Sequence, residues 1–495
     1  MLDQSFSSSN FNKLFLKENR KGNFDKSHFT QEYLDKHQEF KTTVGVKINL
    51  NKTRILSKEE LDEFAERLES INDEKEEIRL SIFENYSNII NNQDTPFKFK
   101  IEYNSTKEVY TVEKDPASYY AVKQLQRNIN KTFKVIQADR NKIIKQIFNI
   151  ASDGFPKIII KTDIASFYES IPQDKLFKKI ENNTLLSPFS KKLIKRLFYE
   201  FEGEKDKNKI PLGKGVPRGI GISAYLSELY MRDIDNDIKS LEDVIYYARY
   251  VDDIIVIICP KTESKKRDYL SELKKIICEK NCLKLKDGSD GEASKTEIID
   301  LLKKENYTKS FNYLRYCFNL KRIELPDKKS NFQLILEVSD NKIKKYSDRL
   351  EKSVADYNKN AKYNEKEARN ILITRLKFLT GNFHLNNNKR NVKSGVYYSN
   401  QMLKLNTKPF KSLKILNKKL CLALNNLTPP PKIGIDRIKL KLFLIKKYDF
   451  NNGFHNKEKN FYTFRLNPRE SSFYFKKFKR VTNKFEVIKS IWKDE

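Results

Sequence analysis

Tyr250-Val251-Asp252-Asp253 stands between two apolar, β-branched runs, Val244–Ala248 and Ile254–Ile258. Neither arm contains Gly or Pro, and Val, Ile and Tyr dominate both, so the segment predicts a tight β-hairpin with two carboxylates at its tip. Like charges in contact disfavour each other's ionisation. A hard divalent cation on oxygen ligands, Mg²⁺ above all, removes that penalty. An ordinary surface turn that happens to hold two Asp is an equal reading of the tetrapeptide alone.

A cation site for phosphoryl transfer needs a further carboxylate from elsewhere in the fold. Lys157–Thr162 reads as a short buried strand with Asp163 at its end, followed by Ile164-Ala165-Ser166-Phe167-Tyr168. A strand-end Asp and a hairpin Asp pair are the parts a two-metal mechanism requires. One ion activates the attacking 3′-hydroxyl and the other steadies the leaving pyrophosphate. Between them lies the Gly-rich loop Gly213–Ser223, which runs into Ala224–Ile238, a segment with helical spacing of apolar residues. Such a loop brings backbone amides close to a base pair or a phosphate. The order strand–Asp, Gly-loop–helix, Asp-Asp hairpin is far more specific than any one part.

That order resembles the palm of a reverse transcriptase. Asp163 with Phe167-Tyr168 resembles motif A, and Val216-Pro217-Arg218-Gly219 followed by Ser223 resembles motif B. Arg249–Asp253 resembles motif C, Ser294-Lys295-Thr296-Glu297 after a Leu283/Leu285 strand resembles motif D, and Phe311–Tyr316 resembles the primer-grip motif E. The resemblance covers Lys157–Asn319 and implies an α+β, right-hand polymerase fold: fingers, a palm with an antiparallel sheet, and a thumb. It makes Asp163, Asp252 and Asp253 the catalytic, metal-binding residues for two Mg²⁺, with Mn²⁺ as an alternative ion. Phe167, Tyr168, Arg218, Gly219, Ser223, Tyr250 and Lys295 become candidates for contact with nucleotide and template, and Tyr313, Leu314 and Arg315 for the primer grip. An aromatic at Tyr168 stacks under the sugar and leaves no room for a 2′-hydroxyl. RNA polymerases of related design carry a second Asp there and a Gly where Val251 stands, so the expected product is DNA. Tyr168 also suits a core aromatic under the sheet.

Motif B carries Arg218 where Gln is usual, and Ser223 is followed by Ala224 rather than Pro. That form, with Ser227-Glu228 in the helix and motif A reading Asp163–Pro172, is similar to bacterial abortive-infection and defence-associated reverse transcriptases. Gln4-Ser5-Phe6, Asn10-Phe11 and Glu18–Gly22 near the start are similar to the type 3 defence-associated enzymes. So are Arg375–Asn382 and Gly395–Ser399, and the likeness is to their a-type subunit. The resemblance implies dNTPs as substrates, a noncoding RNA template, a DNA product or primer, and a second reverse transcriptase subunit as partner, in a homo- or hetero-oligomer. A retron-type enzyme, template-independent or protein-primed synthesis, and an RNA-binding scaffold on an inactive palm stay open as alternatives.

The fingers are read from weaker signals. Asn130–Val135 suits the second arm of a hairpin, with Lys131, Lys134 or Arg140 holding the triphosphate, since Lys offers a point charge and Arg a planar fork. Basic residues are everywhere, however: Lys+Arg 97 against Asp+Glu 66 gives a net charge of +31. For any single lysine a solvated surface is the plainer reading, but the summed field attracts polyanions. The excess runs on through Lys389-Arg390, Lys408–Lys419, Lys432–Lys447 and Lys476–Lys484, with aromatics interleaved at Phe473–Arg480. Rings between basic side chains suit splayed single-stranded bases.

No stretch reaches the ~18 apolar residues of a membrane span, and the start is polar, so a cytoplasmic protein without membrane contact is expected. The five cysteines lack paired zinc spacing, and the four histidines make no cluster. Five regions are expected in order: an N-terminal extension (1–95), fingers (96–156), palm (157–325), a helical thumb (326–428) and a basic, aromatic tail (429–495). Within them the sequence predicts a helix over Leu56–Asn91 capped by Ser57, a hairpin of Phe97–Tyr103 with Glu108–Val112, and a palm helix over Lys261–Glu279. A long helix over Tyr346–Phe378 and a last one over Leu416–Leu427, ended by Pro429-Pro430-Pro431, complete the expectation.

Overall fold

The computed structural model describes residues 2–21, 24–53, 56–205, 210–261, 267–288, 293–302, 306–324, 330–385, 392–430, 436–463, 472–475, 480–483, 487–488 and 490–491. Among the described residues no helix is long and apolar enough to cross a membrane. Contacts divide the chain into two units, residues 1–138 with 160–296, and residues 139–159 with 297–495.

The first unit opens with helices α1 (Ser8–Arg20), α2 (Gln31–Thr53) and α3 (Lys58–Asn91). The expected cap of α3 is a full capping box: Glu60 N–H donates to Ser57 Oγ, and the Ser57 N–H donates to the Glu60 carboxylate (2.9 Å). The short strands β1 (Glu102–Asn104) and β2 (Val109–Thr111) pair antiparallel in the register Tyr103↔Tyr110. This is the expected fingers hairpin in shortened form, because Phe97, Phe99 and Ile101 are buried without joining the ladder. Helix α4 (Pro116–Phe133) follows, started by the Asp115 cap and Pro116. Asn130–Val135 is therefore not a strand. Buried Leu125, Ile129 and Phe133 continue the helical period, and Lys134 ends the helix with φ +51°.

The chain next forms α5 (Arg140–Ala151), a member of the second unit, and then returns to the first through β3 (Ile158–Asp163). The helices α6 (Phe167–Ser170), α7 (Gln173–Glu181), α8 (Pro188–Glu204) and α9 (Gly221–Lys239) lead to the hairpin β4 (Val244–Tyr250) and β5 (Asp253–Ile258). The neighbouring strands run β4-β5-β3, with β4 and β5 antiparallel. Ile254–Ile258 are all buried, so β5 is the central strand and its charged end is set by an apolar anchor. The expected Leu283/Leu285 strand is reduced to one isolated bridge, Ile164↔Leu285. The palm helix begins only at Tyr269, as α10 (Tyr269–Lys274), and closes in a π-turn over Lys275–Lys280.

The first residues do not trail away as an extension. Gln4 donates to the Leu185 carbonyl (2.7 Å) and accepts from Ser187 N–H (2.9 Å), and Ser87 Oγ donates to the Phe6 carbonyl (2.8 Å). Buried Asn10 ties Asp3 and Ser5 together and accepts from Arg127 (3.1 Å). With Phe6 and Phe11 also buried, this strap joins α3, α4 and α8 into one core.

In the second unit, β6 (Glu297–Asp300) precedes an antiparallel meander of β7 (Tyr307–Tyr313), β8 (Tyr316–Glu324) and β9 (Ser330–Val338). The long helix α11 (Asp340–Thr380) is interrupted at Asn364 (φ −152°, ψ 91°), whose side chain accepts from Glu367 N–H and restarts the helix. It packs on α12's neighbour in sequence, α13 (Ser412–Leu424), where α12 is Val396–Asn400. The last expected helix thus starts and stops earlier than Leu416–Leu427. The segments 472–475 and 480–483 pair as an antiparallel hairpin. Lys389-Arg390, residues 431–435, residues 476–479 and Lys484 lie outside the described residues.

Candidate active site

Tyr250 and Asp253 are paired across the β4–β5 ladder, which leaves Val251 and Asp252 as a two-residue loop. Val251 has φ +62°, and Asp252 does not share the positive φ. This is the φ pattern of a type II′ turn, whose first loop position favours Gly. A β-branched residue there is strained, and such strain persists only where its surroundings enforce it. The Asp252 carbonyl accepts from Ile164 N–H (3.1 Å), so the hairpin tip lies directly beside the end of β3, where Asp163 stands.

Asp163 is 4% exposed and lies between two ammonium groups, Lys286 Nζ at 3.3 Å and Lys295 Nζ at 3.2 Å. The backbone brings both lysines there: Lys286 N–H donates to the Asp163 carbonyl (2.8 Å) and Lys295 N–H to the Lys286 carbonyl (2.8 Å). The hydroxyls of Thr162 and Thr296, 2.7 Å apart, close the same junction. Burial, and then the charge of Asp163, push the Asp252 carboxyl above its ordinary range. Burial and the charges of Asp252 and Asp163 push Asp253 up to about 6. For Lys295, burial works against the charge but Asp163 outweighs it, and the ammonium is held more firmly than usual. Three carboxylates gathered at one junction, two of them raised by burial and by the neighbouring charges, are a donor set that suits a hard divalent cation. Among the described residues, however, no group of three or more His, Cys, Asp or Glu side chains is arranged to hold a metal. Asp163 is neutralised instead by the two lysines.

Tyr168 is brought to this group. Burial raises its phenol, followed by the charges of Glu228 and Asp252, while Arg218 opposes them. Its carbonyl accepts from Val216 N–H (2.8 Å), which fastens the Gly-rich loop to α6. Gly219 has φ +103° and lies against β2: a Cβ there would meet the Tyr110 carbonyl oxygen at 2.6 Å, and Tyr110 N–H donates to the Arg218 carbonyl (2.7 Å). Only Gly combines that φ with that approach.

Several expected contacts are placed differently. Phe167 is buried, edge-on to Tyr168 (ring centroids 5.2 Å apart), and supports that ring from below. Ser223 is buried and its hydroxyl donates to the Pro217 carbonyl (2.7 Å), which shapes the loop. Arg218 is half exposed, 3.7 Å from Glu169. Tyr250 is partly exposed at the strand end, and Lys134 is an exposed helix cap. Arg140 lies in the second unit and holds a different feature: its Nε donates to the Leu314 carbonyl (3.0 Å) and its guanidinium lies 5.2 Å from the Tyr316 ring centre. It braces the β7–β8 turn, where Leu314 (φ +45°) and Arg315 (φ +68°) form the loop between paired Tyr313 and Tyr316. Tyr313 and Leu314 are buried and Arg315 is exposed.

Sequence reasoning missed Lys286, which sits in Leu283–Lys286 as one lysine among many. It also missed the partly buried partners of Arg249, namely Glu228 and Asp235. Glu228 and Asp235 are seven apart on α9, a two-turn spacing that puts both on one helix face.

Residues 115–314 match the reverse transcriptase (RNA-dependent DNA polymerase) family. That span runs from the α4 cap to the β7–β8 turn and includes Asp163, the Gly-rich loop and the Asp252-Asp253 hairpin. No curated protein matches the chain. Two telomerase structures are similar to it. Apo telomerase from Candida tropicalis, truncated from the C-terminal domain, is 15% identical over 46% of this chain and 48% of that one, with a TM-score of 0.28. Telomerase from Candida albicans in complex with a TWJ fragment of telomeric RNA is 12% identical over 69% of this chain and 54% of that one, with a TM-score of 0.31. The chain spans about half the length of these structures.

Proposed function

We propose that the chain is an RNA-directed DNA polymerase that copies a dedicated noncoding RNA into DNA in defence against phage, a reading supported by the match of residues 115–314 to the reverse transcriptase family. The observation that carries the chemical part is the junction of β3 and the β4–β5 hairpin. Burial and the neighbouring carboxylate charges raise Asp252 and Asp253 beside Asp163 there, and Tyr168 stands beside them. Asp163 and Asp252 would hold two divalent cations, Mg²⁺ or Mn²⁺, with Asp253 in support. Cations held there would supply Lewis acidity toward the primer 3′-hydroxyl and charge balance for the leaving pyrophosphate. Lys286 and Lys295, which neutralise Asp163 in the absence of ions, are then in reach of the triphosphate. Tyr168, backed by Phe167, presents its ring to the sugar and rejects a 2′-hydroxyl. The Gly219 backbone and the loop fastened by Ser223 guide template and nucleotide.

The defence role rests on the form of motifs A and B and on the terminal segments similar to the a-type subunit of type 3 defence-associated enzymes, which also imply a second reverse transcriptase as partner. The test is direct. The purified protein, with its co-purifying RNA, is given all four dNTPs and the product is sequenced with and without that RNA. A product complementary to one RNA, lost in Asp252→Asn while RNA binding persists, is expected. A product whose sequence is independent of RNA would defeat the templated reading, and full incorporation by Asp252→Asn would defeat the site. Protection of cells from phage, lost in the same variant, checks the biological role.

A further inference from the structure

Arg249 is buried two residues before the strained Val251, and all five N–H groups of its guanidinium have acceptors. Nε and Nη2 donate to the two oxygens of Asp235, each at 2.9 Å. Nη2 and Nη1 donate to the two oxygens of Glu228, at 2.7 and 3.2 Å. Nη1 also donates to the Val251 carbonyl at 2.8 Å, inside the turn that carries Asp252. The side chains are 4%, 15% and 17% exposed for Arg249, Glu228 and Asp235. Tyr247 Oη adds a fourth member by donating to Asp235 (2.7 Å).

A guanidinium so fully used is matched by nothing else on the hairpin. Its planar fork spans two carboxylates of α9 and reaches back to its own turn, which an ammonium with three donors cannot reproduce. Helix α9 begins directly after the Gly-rich loop, and Ser223 in its first turn holds that loop through the Pro217 carbonyl. The fork therefore joins the Asp252 turn to the element that carries the loop.

We propose that Arg249 is a positioning residue for the cation site: with Glu228 and Asp235 it clamps the strained Val251 turn to α9 and thereby holds Asp252 where a divalent ion can bind. Arg249 touches neither ion nor substrate. It acts through the Val251 carbonyl, and it keeps two partly buried carboxylates of α9 neutralised close to the catalytic ones. This inference rests on the reverse transcriptase reading of the site, and its failure can be told apart from failure of that reading.

The test uses the full-length protein, the variant Arg249→Lys, and Arg375→Lys as a matched control. Arg375 is likewise a buried arginine, paired with Asp356 in the other unit (2.7 Å). Three quantities are measured: Mn²⁺ affinity of the nucleic-acid-free protein by electron paramagnetic resonance, hydrogen exchange of the peptide over 244–258, and the Mg²⁺ concentration for half-maximal primer extension. For Arg249→Lys, Mn²⁺ affinity falls about tenfold, the scale seen when a group that orients metal ligands is altered. The hairpin amides exchange faster, extension needs correspondingly more Mg²⁺, and Arg375→Lys matches the parent in all three. Parental Mn²⁺ affinity and parental hairpin exchange in a folded Arg249→Lys would overturn the proposal. If that variant does not fold, Glu228→Gln takes its place: a weaker Mn²⁺ site with retained fold supports the clamp, and unchanged Mn²⁺ affinity refutes it. A parent protein that binds Mn²⁺ but never incorporates dNTPs refutes the polymerase reading instead.

Discussion

Asp252 and Asp253 are adjacent in sequence and both stand near Asp163, and burial, followed by the neighbouring carboxylate charges, raises both, to about 6 for Asp253. A group held above its ordinary value of 3.8 keeps its proton until the pH exceeds that raised value. Below about pH 6 protons therefore compete with a cation for Asp253, and above it they do not. Mn²⁺ affinity is expected to be level above pH 7 and to fall between pH 6 and pH 5. Asp253→Asn should flatten that fall and weaken binding throughout. A titration that stays flat from pH 7 to pH 5 in the parent would refute the coupling of the three carboxylates. At this scale the Asp residues were legible, because acidic residues at strand ends stand out in an apolar sequence. Their neutralisation by Lys286 and Lys295, and the clamp at Arg249, were not. One lysine among so many carries no signal, and a buried ion pair is defined by which side chains meet in space.

Secondary-structure elements explain segments whose sequence stood out without a mechanism. Gln4-Ser5-Phe6 and Asn10-Phe11 are a strap that bonds the ends of α3, α4 and α8. In Arg375–Asn382, Arg375 donates to the Val487 carbonyl (3.2 Å) and buried Asn382 to the Gly453 carbonyl (2.7 Å), while Tyr397 N–H of Gly395–Ser399 donates back to Asn382 (3.0 Å). These motifs hold their own unit together. The Gly-rich loop gives the sharpest test at this scale. Gly219→Ala would place a methyl 2.6 Å from the Tyr110 carbonyl at φ +103°, and should cost about 1–3 kcal/mol. Calorimetry should show a lowered Tm together with lost primer extension, and an unchanged Tm would mean that the loop does not rest on β2. The start of α3 was readable from its Ser57/Glu60 box, and the span of α11 from its period. The α4 end was misread, because the β-favouring residues Thr132 and Phe133 sit where tertiary packing continues a helix.

For the molecule as a whole, a net charge of +31 on 495 residues gives a field that favours polyanions. Each phosphate neutralised on a single strand contributes roughly −0.7 to the slope of log K against log salt. RNA binding measured by filter retention between 50 and 300 mM salt is expected to have a slope steeper than about −3. A slope near zero would show that the summed field is not used. The chain also crosses between its two units: residues 139–159 belong with 297–495, while 160–296 belong with the N-terminal part. No composition shift marks those crossings, since α5 and β3 are as apolar as their neighbours.

By itself, the sequence determined the strand–Asp, Gly-loop–helix and Asp-Asp hairpin order, because each part depends on local spacing, turn chemistry and a charge set beside an apolar run. Those signals act over a few residues and survive any arrangement of the rest. Only the tertiary structure decided that Asp163 is held by Lys286 and Lys295, that Arg140 braces Leu314, and that Arg249 bonds the Val251 turn to Glu228 and Asp235. Each of these depends on groups tens to more than a hundred residues apart being desolvated together. Their pairing is set by the packing of elements that no local pattern encodes.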